Sequence, residues 1–231
     1  MIKKLFRFFF KTLLWFLGIT FLWVLLYKYM PVYYTPLMAL RAYEAEGDFE
    51  TKHSWVPIAE ISTELQLAVI CAEDQKFTKH NGFDVKSIEK AYKSNKKGEK
   101  LRGASSISQQ TAKNVFLWPN RSWLRKGLET YFTFLIELVW DKERILEVYL
   151  NSIEMGDGIY GAEAASKFWF NKSAKNLQKY QAAAIAAILP NPRIYQANPP
   201  SNYIQKRKEW IVRQMRFYGT FTLEKPPKDD G

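Results

Sequence analysis

The stretch PIAEISTELQLAVICAEDQKFTKHNGFD, residues 57–84, decides how this chain is read. Its first half has a helical period. Ile61, Leu65, Ala68, Val69 and Ala72 recur at spacings of three and four, which puts them on one face. Pro57 suits a first helical turn. The apolar run then stops on two carboxylates, Glu73 and Asp74, with Phe77, His80 and Gly82 close behind. A helix C-terminus carries partial negative charge, and apolar neighbours exclude water. Both effects raise a carboxylate pKa, as a general base requires. On spacing alone, an exposed helix-end acid is the commoner outcome.

The same period recurs further along. Residues 125–151 carry Leu128, Phe132, Leu135, Leu138, Ile145, Leu146, Val148 and Tyr149 and read as helical. Residues 160–169 and 177–189 are Ala-rich and helical, the latter closed by Pro190 and Pro192. Alternating β-branched runs are few, so the fold class is mainly α. Residues 31–56 hold Pro31, Pro36 and Gly47 without a sustained period and read as a connector.

Before that connector, Thr12 to Tyr27 are 16 residues without a charge. As a helix they span about 24 Å, short of a bilayer core of about 30 Å. Phe8 to Phe10 lengthen the apolar stretch, and Lys11 and Lys28 can snorkel. Lys3, Lys4, Arg7 and Lys11 precede it, which predicts a cytoplasmic N-terminus with the remainder outside. No small-x-small cleavage site follows, so an uncleaved anchor is expected rather than a signal peptide. The expected division is 1–30 basic flank and transmembrane anchor, 31–56 juxtamembrane connector, 57–220 catalytic domain and 221–231 polar tail.

Composition narrows the function. The 231 residues are 47% hydrophobic, enough for a core, which excludes global disorder. One cysteine, Cys71, allows no intrachain disulfide, and two histidines without an HExxH argue against zinc chemistry. The formal net charge is +11, and residues 76–126 alone hold 13 basic and 3 acidic side chains. Such an excess predicts an anionic partner.

Two further motifs could meet it. GASSISQQTAKN, residues 103–114, is a small, polar stretch able to approach a ligand and open a helix, with Gln109, Gln110 and Lys113 as donors. In RSWLRKGLE, residues 121–129, Arg121, Arg125 and Glu129 fall at i, i+4 and i+8 on one helix face, flanked by Lys126. An ordinary loop with a cap, and a solvated ion-paired face, are the alternatives.

Taken together, EDQKFTKHNGFD, RGASSISQQTAKN, RKGLE, KERILEVYLN and GIYGAEAASKFWF resemble, in order, the motifs of the peptidoglycan glycosyltransferases of glycosyltransferase family 51. The likeness covers about residues 55–218. The anchor and the tail IVRQMRFYG are similar to those of its monofunctional Gram-negative biosynthetic transglycosylases. Ala104 and Gln181 depart from the commoner Gly and Glu without touching the expected chemistry.

The resemblance implies a lysozyme-like, two-lobed helical domain behind one N-terminal transmembrane helix, seated on the outer face of a bacterial inner membrane with its catalytic domain periplasmic. The implied reaction polymerises lipid II into β-1,4-linked glycan with inversion and release of undecaprenyl pyrophosphate. Glu73 matches the family's base and Glu129 its second carboxylate. Asp74, Phe77, His80, Ser105, Gln109, Gln110, Lys113, Arg121, Arg125 and Lys126 match substrate-binding positions. No obligatory cofactor is implied; a divalent cation, Mg or Mn, is an optional aid at the pyrophosphate. Expected partners are lipid II, the growing glycan chain, membrane lipids and proteins of cell-wall synthesis. Moenomycin is the expected inhibitor.

A lytic transglycosylase would share the fold but has no need of QQTAK and RKGLE. A nucleic-acid binder fits the charge but neither the anchor nor the carboxylates. Ser87 and Ser94 begin chance SxxK matches; without KTG or room for a second domain, a bifunctional transpeptidase is not expected.

Overall fold

A computed structural model describes residues 2–45, 50–96, 105–120, 122–219, 221 and 223. Helix α1, Ile2–Tyr29, extends beyond the charge-free run at both ends, and it is long and apolar enough to cross a membrane. Its 28 residues make about 42 Å, more than a hydrocarbon core needs.

Residues 31–56 are more than a connector. Thr35 caps a helix α2, Pro36–Glu44, by accepting from the Met38 N–H, and Pro36 occupies the first turn, where its missing donor costs nothing. Two turns are too few for a hydrophobic period to register. A short strand β1, Lys52–His53, follows.

Pro57 leads into a 3-10 turn, Ile58–Glu60, and Ser62 caps the helix proper, α3, Thr63–Glu73. Seven consecutive residues of α3, Leu65–Cys71, are buried, so this helix is surrounded by protein and not merely half-covered. Helix α4, Val85–Lys96, is Lys-rich and largely exposed. Helix α5, Ile107–Phe116, opens with a capping box between Ser106 and Gln109. The helical region 125–151 is two helices, α6, Trp123–Val139, and α7, Lys142–Ser152, separated at Trp140 and N-capped by Ser122 and Asp141. Strands β2, Glu154–Gly156, and β3, Ile159–Tyr160, complete a sheet of order β1-β3-β2, with β1 parallel and β2 antiparallel to β3. Tyr160 thus belongs to a strand, and the helix expected there is α8, Ala162–Phe170. Helices α9, Lys179–Ile188, and α10, Asn202–Tyr218, end the described fold.

The helices pack as two groups. In one, α3 lies against α9 and α10. The alanines of α9 are buried, and their small side chains let the backbones approach closely. In the other group α5, α6 and α7 pack together, with α2 on α5. Phe116 stacks on Phe132 at 4.6 Å, and Trp23 of α1 meets Phe116 edge-on at 5.1 Å. The anchor is therefore docked on the second group. Thr20 and Tyr131 share a hydrogen bond of 2.7 Å, Trp140 Nε1 donates to the Val24 carbonyl at 2.8 Å, and Arg144 caps the Tyr27 and Met30 carbonyls.

Asn151 latches the segment before α3 to α7. Its Oδ1 accepts from the Val56 N–H and its Nδ2 donates to the Val56 and Glu147 carbonyls, all at 2.9 Å. His53 Nε2 bonds the Asn151 carbonyl at 2.9 Å, which requires that nitrogen to carry its proton. Gly161, at φ 81°, passes so close that a Cβ would sit 2.6 Å from the same carbonyl oxygen. Asn151→Ala strands two backbone groups and is expected to cost about 3 kcal/mol. Thermal unfolding in detergent checks this; an unchanged midpoint would remove the latch from the fold's essentials.

Candidate active site

The catalytic candidate stands where α3 runs out, just past its buried stretch Leu65–Cys71. Glu73 is the last residue of α3 and Asp74 is its C-cap. The two carboxylates have different surroundings. Asp74 is buried, takes His80 Nε2 at 3.0 Å on both oxygens, and accepts the backbone N–H of Ile107, the first residue of α5, at 3.1 Å. It satisfies one of the donors that a helix start leaves open. Glu73 is partly buried and receives one side-chain hydrogen bond, from Gln110 Nε2 at 2.9 Å.

That amide is held from behind. The Tyr149 hydroxyl, fully buried on α7, donates to Gln110 Oε1 at 3.2 Å, which turns the NH₂ end of Gln110 toward Glu73. Burial raises the Glu73 pKa above the usual carboxylate range. The Gln110 hydrogen bond and the charges of Arg207 and Lys113 oppose the shift, and Asp74 adds to it.

Gln110 lines one cleft and bonds Glu73, which lines a second. One, about 410 Å³, is lined by Gln110, Lys113 and Arg125 together with Arg41, Trp118 and Glu154. The other, about 290 Å³, is lined by Glu73, Asp74, Ser105, Asp84, Ser87 and Trp210. A carboxylate of raised pKa thus faces one cleft, and a cationic wall faces the next. Lys113 sits one turn beyond Gln110 on α5; burial lowers its pKa, while Glu129 and Glu73 favour its charged form and Arg125 and Lys126 oppose it.

Glu129 is buried behind this wall and ion-paired to Arg125, 3.4 Å away, and to Lys126. It therefore fixes the guanidinium of Arg125 at the cleft. Arg121 lies outside the described residues. Of the three positions spaced four apart, Arg125 and Glu129 share one face of α6. The structure gives Phe77, His80 and Gln109 positions behind the cleft walls. Phe77 is fully buried beneath the Lys142 ammonium, His80 bonds Asp74, and Gln109 Oε1 closes the capping box on the Ser106 N–H. Lys126 lies beside Arg125 and is half exposed.

Sequence reading missed several residues that line or tune these clefts. Tyr149 was legible only as a core position, Arg41 lay in the connector, and Arg207 and Trp210 come from α10, more than 130 residues beyond Glu73. No local motif marks them. Cys71 lines the second cleft, but burial pushes its thiol up to about 11, which keeps it protonated and a poor nucleophile.

Metal binding has thin support in this donor set. Among the described residues no three of His, Cys, Asp and Glu converge, and Glu129 is already neutralised by two cations. What the arrangement can do chemically is accept a proton at Glu73 while Lys113 and Arg125 hold an anion beside it.

The Tyr149–Gln110 relay has a measurable consequence. A base must be ionised to act, so activity falls as pH drops through its pKa. Gln110→Leu removes a hydrogen bond that favours the charged Glu73, so the acidic limb of kcat/KM should move to higher pH. Tyr149→Phe should move it the same way by less. A limb unmoved in both variants would break the relay.

Comparison with known proteins agrees with this geometry. The sequence model of the family described as Transglycosylase matches residues 41–216. A biosynthetic peptidoglycan transglycosylase of Bacteroides thetaiotaomicron is 55% identical over 223 residues, 95% of this chain and 90% of its own length. One from Aeromonas hydrophila is 58% identical over 181 residues, 78% of this chain and 77% of that protein. One from Mannheimia succiniciproducens is 47% identical over 219 residues, 93% and 90% respectively. With such identity across nearly the whole length, and with Glu73, Gln110, Lys113 and Arg125 gathered at two adjoining clefts, this chain belongs to the transglycosylase family and is a glycosyl-transferring enzyme.

Proposed function

We propose that this enzyme polymerises lipid II into β-1,4-linked glycan, with inversion at the donor sugar and release of undecaprenyl pyrophosphate. The single observation that carries the reading is the Gln110–Glu73 hydrogen bond, which links the linings of the two clefts. A base and an anion site must adjoin when one sugar hydroxyl displaces a diphosphate from another sugar.

The acceptor sugar occupies the cleft of Glu73, and the donor diphosphate occupies the cleft of Lys113 and Arg125. The acceptor 4-hydroxyl oxygen attacks C1 of the donor from the face opposite the diphosphate, and its proton passes to the Glu73 carboxylate. The C1–O bond to the diphosphate breaks, and the bonding pair leaves with that oxygen. Charge growing there is met by cations already in place, which need no reorganisation. Glu129 contributes by positioning Arg125. An optional Mg or Mn ion would enter with the diphosphate's own oxygens; no step depends on it.

Docking of α1 on α6 supports a seat at the membrane surface, where a lipid-linked substrate is found. Trp123, Leu124, Phe134 and Leu138 of α6 are exposed apolar residues on the helix that receives the anchor. The basic N-terminal flank supports a cytoplasmic N-terminus and a periplasmic catalytic domain. A reporter fused after Gly231 should then be active only outside the cytoplasm; a cytoplasmic signal would reverse the topology.

The decisive test incubates the detergent-solubilised chain with labelled lipid II and looks for polymer. Glu73→Gln keeps size and hydrogen bonding but cannot take the proton, so polymerisation should fall by about 10²–10⁴-fold. The same substitution should raise stability at neutral pH. The folded pKa of Glu73 lies above its unfolded value, so stability falls as pH rises between the two, and the full cost is present above both. Gln mimics the neutral acid and avoids that cost. Near wild-type turnover in Glu73→Gln would exclude Glu73 as the base.

A further inference from the structure

Helix α2 brings an arginine into the cationic cleft. Arg41 lines it together with Lys113 and Arg125, although it lies more than seventy residues before either. Its Nε–H is buried without a hydrogen-bond partner among the described residues. Its ion pair, to Glu44 one turn on, is 4.0 Å long and partly exposed, the outer limit for such a contact. Arg125 presents the same feature: its Nε is buried without an acceptor, while its Nη1 pairs with Glu129. Two guanidinium groups from separate helices thus each withhold a donor from water at the wall of one cleft. Buried donors without acceptors are rare, because each loses its hydration and gains nothing in return.

A diphosphate in the cleft would offer acceptors to the two guanidinium groups that line it. The planar fork of arginine suits phosphate oxygens, and two forks suit two linked phosphates. Arg144 ties the Tyr27 and Met30 carbonyls to α7 where α1 ends, and α2, which bears Arg41, is the next helix in the chain.

Glu154 lines the same cleft and supplies the competing account, in which Arg41 only offsets a carboxylate. Yet among the described residues no ion pair joins Glu154 to Arg41, whose pair is Glu44; the Glu154 carboxylate accepts the Gly158 N–H at 3.3 Å instead.

We propose that Arg41 is a binding residue for the diphosphate of the glycosyl donor, contributed by the helix that follows the membrane anchor. This rests on the reading of the cationic cleft as the donor site. The connection between anchor and domain is then part of that site.

Binding to the full chain in detergent micelles tests it, with a polyprenyl diphosphate, the matching monophosphate and the alcohol as probes. Arg41→Ala should weaken the diphosphate by roughly ten- to hundred-fold, the monophosphate less and the alcohol not at all. Arg41→Lys, which keeps the charge and loses the fork, should recover part of the loss and guards against misfolding of the alanine variant. Equal diphosphate affinity in wild type and both variants overturns the assignment. So does recovery of the R41A loss by adding E154Q, which would make Arg41 a partner of Glu154 instead. Lipid II polymerisation is read on the same samples. A wild type that binds diphosphate through Arg41 yet makes no glycan overturns the polymerase reading and leaves the Arg41 site standing. A wild type that polymerises lipid II, with R41A unchanged in affinity and KM, overturns the Arg41 assignment alone.

Discussion

The carboxylate of Asp74 joins the end of one helix to the start of another, and the site follows from that junction. It accepts the Ile107 N–H of α5 while capping α3, and His80 bonds it from the following turn. A helix start is short of acceptors and carries partial positive charge, so a buried carboxylate there is stabilised where it would otherwise be costly. With α3 and α5 locked end to start, Glu73 and Gln110 fall one residue before and one turn after the lock and meet at 2.9 Å. Neighbouring acids thus divide the work: the one with full hydrogen bonding builds the frame, and the one left under-solvated is available to take a proton.

The basic excess has a matching division. Lys113 and Arg125 face the cleft and are partly or largely buried, so water screens them poorly and their charge acts at short range. Glu129 stands behind them and keeps like charges from driving the wall apart. The exposed lysines of α4 act differently; in water their influence is a long-range field that fades over about 10 Å at 0.1 M salt. One basic segment therefore holds two sets of cations, one lining a cleft and one exposed to solvent.

Anchor and domain are not independent parts joined by a tether. Trp23 enters the aromatic cluster of Phe116 and Phe132, and Trp140 and Arg144 bond carbonyls at the end of α1. Phe116 closes the helix that begins with the Asp74 lock and bears Gln110 and Lys113. The membrane-facing contact and the chemistry therefore share one rigid element, α5, across about 15 Å of helix.

Much of this was legible in the sequence alone. Residues 57–84 show a helix ending in two acids because the 3.6-residue period and the abrupt change of polarity are local facts. The spacing of Arg125 and Glu129, the opening of a helix within residues 103–114 and the apolar anchor were readable for the same reason, and the ordered motifs carried the family. Tertiary structure decided what no window could contain. It made Asp74 a lock and Glu73 the desolvated acid, a distinction that adjacent residues of the same chemistry do not reveal. It turned Gln109 inward and Gln110 toward Glu73 through Tyr149, and it brought Arg41 to the wall of one cleft and the charge of Arg207 to bear on Glu73. Periodicity records which face of a helix is buried; only packing determines which distant group that face meets, and the raised pKa of Glu73 and the cationic lining of the neighbouring cleft arise from those meetings.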